Sequence, residues 1–150
     1  MTFEDYERTA PVRWPARRHE LLWYLHELAS PSLQQERWIE MKPGTPGEMH
    51  GFDFVSHFFF DDTELGENPE HTLGDILIDG LEVTAVRNTV DALDRVLHEV
   101  GVGRDKRDAD YVSSSRWPKV IETATAAYRL LRPRLQAEGD TILPPELPAV

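Results

Sequence analysis

Two histidine–aspartate pairs carry the residue types best suited to chemistry in this sequence. His57 and Asp61 stand four positions apart, and so do His71 and Asp75. On a helix that spacing puts both members of a pair on one face, one turn apart. Two imidazoles and two carboxylates together are a set that zinc or a harder transition metal can use. The same spacing also describes an ordinary ion pair on a solvated helix face, contributing about a few tenths of a kcal/mol. The HExxH arrangement of many zinc hydrolases is absent.

Around these pairs runs an acidic strip of Asp61, Asp62, Glu64, Glu67 and Glu70. Such a strip can dock a basic protein, for instance a nuclease whose active site normally holds phosphate, because complementary charge speeds association and adds specificity. It can equally be a solvated loop. An EF-hand started at Asp61 fails, since its fifth position is Leu65 and its twelfth Thr72, where oxygen ligands are needed. Gly101-Val102-Gly103 follows a helical pattern and does not precede one, so a phosphate loop fails as well. There is no GxSxG elbow, and Ser113, Ser114 and Ser115 fit a turn before a helix. Trp14, Trp23, Trp38 and Trp117 are candidates either for binding hot spots or for core, and at least two of them are expected to be buried.

The bulk composition narrows the partners. The chain has 150 residues and a formal charge of −11, so nucleic acid and anionic lipid are disfavoured unless basic residues cluster. The one basic patch, Arg104, Lys106 and Arg107, is interleaved with Asp105, Asp108 and Asp110 and nearly neutralised. No cysteine is present, which removes thiolate metal sites and cysteine nucleophiles. The first residues lack the basic-then-apolar pattern of a signal peptide, and no apolar run reaches membrane-spanning length. A cytoplasmic protein with no cofactor is the expectation.

The elements that must position these residues are helical. Val83, Val86, Val90, Leu93, Leu97 and Val100 step by three and four, which predicts a helix over about 80–100 with one apolar stripe. Asp79 and Glu82 are placed to form a variant capping box at its start, and Gly101 fits the residue that ends it. Trp117, Ile121, Ala124, Tyr128 and Leu131 predict a second long helix over about 116–132, stopped or kinked by Pro133. Equal period and length predict that the two pack together, with Ala124, Ala126 and Ala127 allowing close approach.

Shorter elements flank them. A helix is expected over 16–29, with Pro15 at its first position. Another follows from Ser30-Pro31 to about Met41, and residues 42–51 compose a loop. Over 52–60 helical spacing places Phe52, Val55 and Phe58 or Phe59 on one side, with Asp53, His57 and Asp61 on the other; the aromatic content keeps a buried strand as the alternative. Asn68 should be a cap and Pro69 a first helical residue, with Thr72 to Leu77 a short helix, and Asp108 or Asp110 should cap a turn holding Tyr111. Residues 1–13 are expected to be a flexible arm and 134–150 a flexible tail, around a core of about 14–133. The fold class is therefore all-α: a single-domain, irregular helical bundle with two long packed helices.

Four blocks, LASPSLQQERWIE (28–40), FDFVSHFFFDDTEL (52–65), AVRNTVDALDRVLHEVG (85–101) and DADYVSSSRWPKVIETATAAYRLL (108–131), occur in that order. Together the chain resembles an uncharacterised family of small acidic helical proteins from Streptomyces and related actinobacteria. The resemblance covers about 20–131. It implies one helical domain and carries over no catalytic residue. By analogy with other small acidic proteins of such genomes, it suggests an immunity protein that neutralises a toxin.

The expected function is that of a non-catalytic protein-binding protein, an immunity- or antitoxin-like inhibitor of a basic partner, contacting it through Asp61, Asp62, Glu64 and Glu67. One alternative is a metal-binding protein or metal-dependent enzyme using His57, Asp61, His71 and Asp75. Another is a structural or regulatory helical interaction module.

Overall fold

The computed structural model describes residues 2–41 and 51–147. Its elements are α1 (Phe3–Thr9), α2 (Pro15–Leu28), α3 (Pro31–Leu33), α4 (Phe52–His57), α5 (Gly80–Val100), α6 (Asp108–Val112) and α7 (Trp117–Glu138). α3 runs on into a π-wound stretch, Gln34–Ile39, and α4 into a second, Phe58–Asp62; a 3-10 turn spans Pro69–Thr72. Among the described residues there is no strand, only one isolated bridge between Leu73 and Leu77. The fold is all-α, and 52–60 is helix. The loop expected over 42–51 falls outside the described residues, apart from Gly51.

The two long helices pack along each other, and α2 packs against α7 as well. Ala92 of α5 and Ala124 and Ala127 of α7 are buried, and their small side chains let the backbones approach. Leu21, Leu22, Leu25 and Leu28 of α2 close the layer. Each fully buried aliphatic side chain contributes about 1.5–3 kcal/mol before chain entropy is counted. The buried line of α5 lies to one side of the expected stripe: Glu82, Val86, Thr89, Leu93 and Val96 are its centre, and Val83, Leu97 and Val100 are half-buried edges.

On α4 the expected division holds. Phe52, Val55, Phe58 and Phe59 are buried, while Asp53, His57 and Asp61 face solvent. The loop after it folds tightly beneath: Gly66 N–H donates to Phe59 O at 2.8 Å. A Cβ at Gly66 would stand 2.6 Å from that carbonyl oxygen, so the close approach requires glycine.

Several expectations are corrected. No helix forms over 72–77. The helical turn is Pro69–Thr72, and the chain then reverses around Thr72, whose carbonyl oxygen accepts from the N–H groups of Asp75, Ile76 and Leu77, with Gly74 at φ +87°. The capping box of α5 is half made. Asp79 accepts from Glu82 N–H at 3.1 Å, but the Glu82 carboxylate turns away to Ile78 N–H and to two arginines. Pro133 neither stops α7 nor ends it; the helix continues to Glu138 and closes at Gly139, which is left-handed. The turn beyond the proline is held from outside, by buried Leu135 and by the bonds of Glu138 described below.

The described parts of both terminal segments, 2–13 and 134–147, make defined contacts. α1 begins with a capping box in which Thr2 and Asp5 exchange bonds of 2.8 and 3.3 Å, and its Tyr6 is buried. Beyond α7, Asp140 meets His19 Nδ1 at 2.6 Å, Trp23 Nε1 donates to Ile142 O at 3.1 Å, and the Tyr128 hydroxyl donates to Pro144 O at 3.1 Å. Residues 140–147 thus return along α2 and α7.

His26 of α2 lies half-buried against Tyr128, ring centroids 5.5 Å apart. Burial, and then the nearby Arg132, hold its imidazole below the ordinary value of 6.5. The unfolded chain therefore takes up a proton at His26 before the folded one does. Its contribution is full above pH 6.5 and is lost as pH falls from there through the folded pKa. In urea titrations, His26→Gln should show a smaller loss of midpoint than the wild type over that descent. Parallel curves would refute the assignment.

Candidate functional site

The chain just before α2 pairs with the turn that precedes α5. Arg13 N–H donates to Gly74 O at 2.9 Å, and Trp14 N–H to Asp75 O at 2.8 Å. This draws the start of α2 against residues 71–76. The π-wound end of the α4 segment supplies the wall between them. The result is a groove of about 690 Å3. Trp14, Arg13 and Arg17 stand on one wall, Asp61, Asp62 and Glu64 on another, and His71 and Asp75 on the third. Trp14 is 46% exposed.

Five carboxylates, including Glu7, line the groove against two guanidinium groups. Both cations are already engaged. The Arg13 guanidinium lies 5.6 Å over the Trp14 ring, and Arg17 stands 3.4 Å from Glu20. Asp61 pairs with His57 one turn back, and His71 Nδ1 lies 3.7 Å from Glu64 Oε2. Glu70, at the rim, pairs with Arg87 of α5. The groove's fixed charge is negative, and its one large exposed ring is an indole. Such a surface can hold a guanidinium or ammonium group, with carboxylates beside it and an aromatic face beneath.

Five residues singled out in the sequence, Asp61, Asp62, Glu64, His71 and Asp75, meet in this groove. Two do not line it. His57 points outward from α4 and reaches only Asp61, and Glu67 is exposed in the following turn. Among the described residues, no three His, Cys, Asp or Glu side chains converge as a metal site requires. Of the two His–Asp spacings, the first makes a pair, His57 with Asp61, whereas the carboxylate beside His71 is Glu64 rather than Asp75. Ser114 and Ser115 donate to Glu99, with Ser115 at 3.2 Å, so the serine run ties the α7 entry to the end of α5.

Behind the groove lies a buried ion network. Arg18, 0% exposed, uses all five of its N–H donors. Nη1 donates to Glu82 Oε1 at 2.7 Å and to Ile76 O at 2.9 Å. Nη2 donates to Glu82 Oε2 at 3.0 Å and to Glu138 Oε2 at 2.8 Å, and Nε donates to Glu138 Oε1 at 2.9 Å. Arg134 bridges Glu82 and Asp79 at 2.9 and 2.8 Å, and the Tyr6 hydroxyl donates to Glu138 at 3.1 Å. Burial alone would lower the Arg18 pKa, but the bonds from Glu82 and Glu138 more than reverse this and raise it. Burial, and then the Glu138 charge, push the Tyr6 hydroxyl up. The Asp79 carboxyl is held below the ordinary carboxylate range by the Glu82 N–H, and further by Arg134. Ile76 belongs to both structures: it lines the groove, and its carbonyl is held by Arg18. The network therefore fixes the groove's third wall to α2.

Sequence reasoning missed Arg13, Arg17 and the whole network. Arg13 ends the stretch expected to be a flexible arm, 1–13, and Trp14 opens the expected core. The one available signal was Thr2-x-x-Asp5, a capping pattern that shows the first residues begin a helix.

A family model described as a domain of unknown function (DUF7945) matches residues 12–139. No curated protein and no solved structure matches. Among the described residues, no helix is long and apolar enough to cross a membrane.

Proposed function

This chain belongs to the DUF7945 family, and from that premise we propose that it is a non-catalytic protein-binding protein which takes a basic segment of another protein into the Trp14–Asp61–Asp75 groove. The supporting observation is that carboxylates from separate parts of the chain line one groove, with an exposed indole among them and the neighbouring guanidinium groups already engaged. An arginine or lysine of the partner would lay its stem on Trp14 and its charge between Asp61, Asp62 and Asp75. In the immunity-like form of the proposal, the partner is a toxin, and the acidic walls occupy the basic surface where it would hold phosphate. That form carries with it a cytoplasmic location and an actinobacterial origin.

The test uses a labelled arginine-rich peptide and fluorescence anisotropy. Binding should be saturable and should weaken with added salt, because the contributing charges are solvent-accessible. Asp61→Asn/Asp62→Asn/Glu64→Gln should weaken it by about tenfold or more, equivalent to about 1.4 kcal/mol. Glu67→Gln removes one charge outside the groove and should leave the affinity within about twofold. Equal loss from Glu67→Gln and from the triple variant would reduce the effect to bulk charge. No loss from the triple variant would remove the groove as the contact.

A further inference from the structure

A second cavity, of about 520 Å3, runs along α2. Trp23, Tyr24 and Leu33 wall it, and Ile142 and Pro145 of the returning C-terminal segment close one side. Its lining is mainly apolar, and its size is that of small-molecule sites. Trp23 is 38% exposed, and its indole N–H is spent on Ile142 O, so the ring offers carbon faces to the space.

Among the described residues, Arg37 is the one lysine or arginine that lines this cavity. Arg37 belongs to the π-wound stretch Gln34–Ile39, a backbone form often found at functional sites. Its Nη1 has no hydrogen-bond partner and is closed to solvent while the cavity is empty, so the guanidinium must swing toward the cavity to meet an acceptor there. Among the described residues it is the only buried side-chain nitrogen or oxygen left in that state. The two carboxylates on the cavity wall are committed elsewhere. Glu27 Oε1 accepts from Trp38 Nε1 at 2.7 Å and from Gly51 N–H at 3.3 Å, and Glu20 stands 3.4 Å from Arg17. A desolvated guanidinium N–H without an acceptor is unfavourable, and the planar fork of arginine matches a carboxylate with two parallel bonds.

We propose that this cavity binds a small organic carboxylate with an aromatic body, its carboxylate on Arg37 and its ring against Trp23 and Tyr24. The apolar lining sets the body of the ligand, and the orphaned donor sets its charge. The site is distinct from the acidic groove and selects the opposite sign.

Calorimetric titration of the whole chain tests this with naphthoate as probe, naphthamide as its neutral counterpart and naphthylmethylamine as its cationic one. Naphthoate should bind at a single saturable site, about tenfold or more tighter than either control, and Arg37→Gln should bring it down to the level of naphthamide. Because Nη1 loses no bond, unliganded Arg37→Gln should melt no lower than the wild type, which an arginine kept for structure alone would not allow. Leu33→Trp, which fills the cavity from another wall, should abolish naphthoate binding, and it decides the matter if Arg37→Gln does not fold. The proposal is overturned by absence of saturable naphthoate binding, by naphthamide binding as tightly, or by unchanged binding in either variant.

Discussion

Arg18→Met is expected to lower the free energy of unfolding by about 3–5 kcal/mol, the cost of removing one partner from a buried ion pair. Domains of this kind are stable by about 5–15 kcal/mol in total, so the variant should be close to its limit at growth temperature. The physical cause lies in what remains. Glu82 is fully buried, and among the described residues its remaining side-chain counter-ion without Arg18 is Arg134. Ile76 O also loses its donor. Glu138→Gln should cost less, because that carboxylate is 12% exposed and water can take over part of its bonding. Urea denaturation followed by circular dichroism measures all of these. The double variant Arg18→Met/Glu82→Met should recover a large part of the loss, because an apolar pair of similar volume can replace a buried ion pair. If Arg18→Met alone costs less than about 1 kcal/mol, the size of an exposed pair, the network is not what joins α2, α5 and α7. Because the same network holds Ile76, Arg18→Met should also weaken the arginine-rich peptide, although Arg18 itself lies outside the groove.

The sequence exposed the rods and hid what locks them. Val86, Val90 and Leu93 on one helix, and Ala124, Tyr128 and Leu131 on the other, are apolar at a 3.6-residue period, which any surface helix packed on a core must show. Arg18, Glu82 and Glu138 are charged and lie up to 120 positions apart. No local pattern separates such residues from a solvated face, and burial becomes favourable only once their partners are in place. The displaced stripe of α5 has this origin. Glu82 and Thr89 occupy its buried line, so a reading by apolar residues alone leans toward Val83 and Leu97. Pro133 fails to end α7 for a related reason. Its local effect is to break a helix, at about 3 kcal/mol, and that effect was offset by the bonds Glu138 makes with α1 and α2 from the following turn.

The acidic wall of the groove was legible because Asp61, Asp62 and Glu64 are neighbours in the chain. Its opposite wall was not, since Arg13 and Trp14 reach Gly74 and Asp75 only through main-chain bonds, which side-chain identity does not encode. The His–Asp spacing of four was real but uninformative. A helix turn makes His57 and Asp61 neighbours on any surface, and a metal site needs ligands brought from elsewhere as well.

Trp117→Ala carries the other large effect expected, a loss of about 3–5 kcal/mol. Trp117 enters α7 fully within the core, 2% exposed, with Trp38 at 5.9 Å and Phe52 at 6.0 Å between ring centroids. Phe52 in turn stacks on Tyr111 of α6 at 3.9 Å, so one aromatic cluster ties α4, α6, α7 and the segment after α3. Its polar edge is as constrained as its rings. Trp117 Nε1 donates to Gln34 Oε1 at 3.0 Å, and the Gln34 amide donates to the carbonyls of Glu27 and Leu28 at the end of α2. Trp117→Phe separates the two contributions. It keeps an aromatic ring but leaves Gln34 Oε1 buried without a donor, at about 1–3 kcal/mol. Trp117→Phe/Gln34→Leu also strips the donor from the Glu27 and Leu28 carbonyls, so its loss should exceed that of Trp117→Phe but fall short of the sum of the two single variants. Simple additivity of the two changes in urea midpoints would mean that the indole N–H is not holding Gln34 against α2, and that Trp117 acts through packing volume alone.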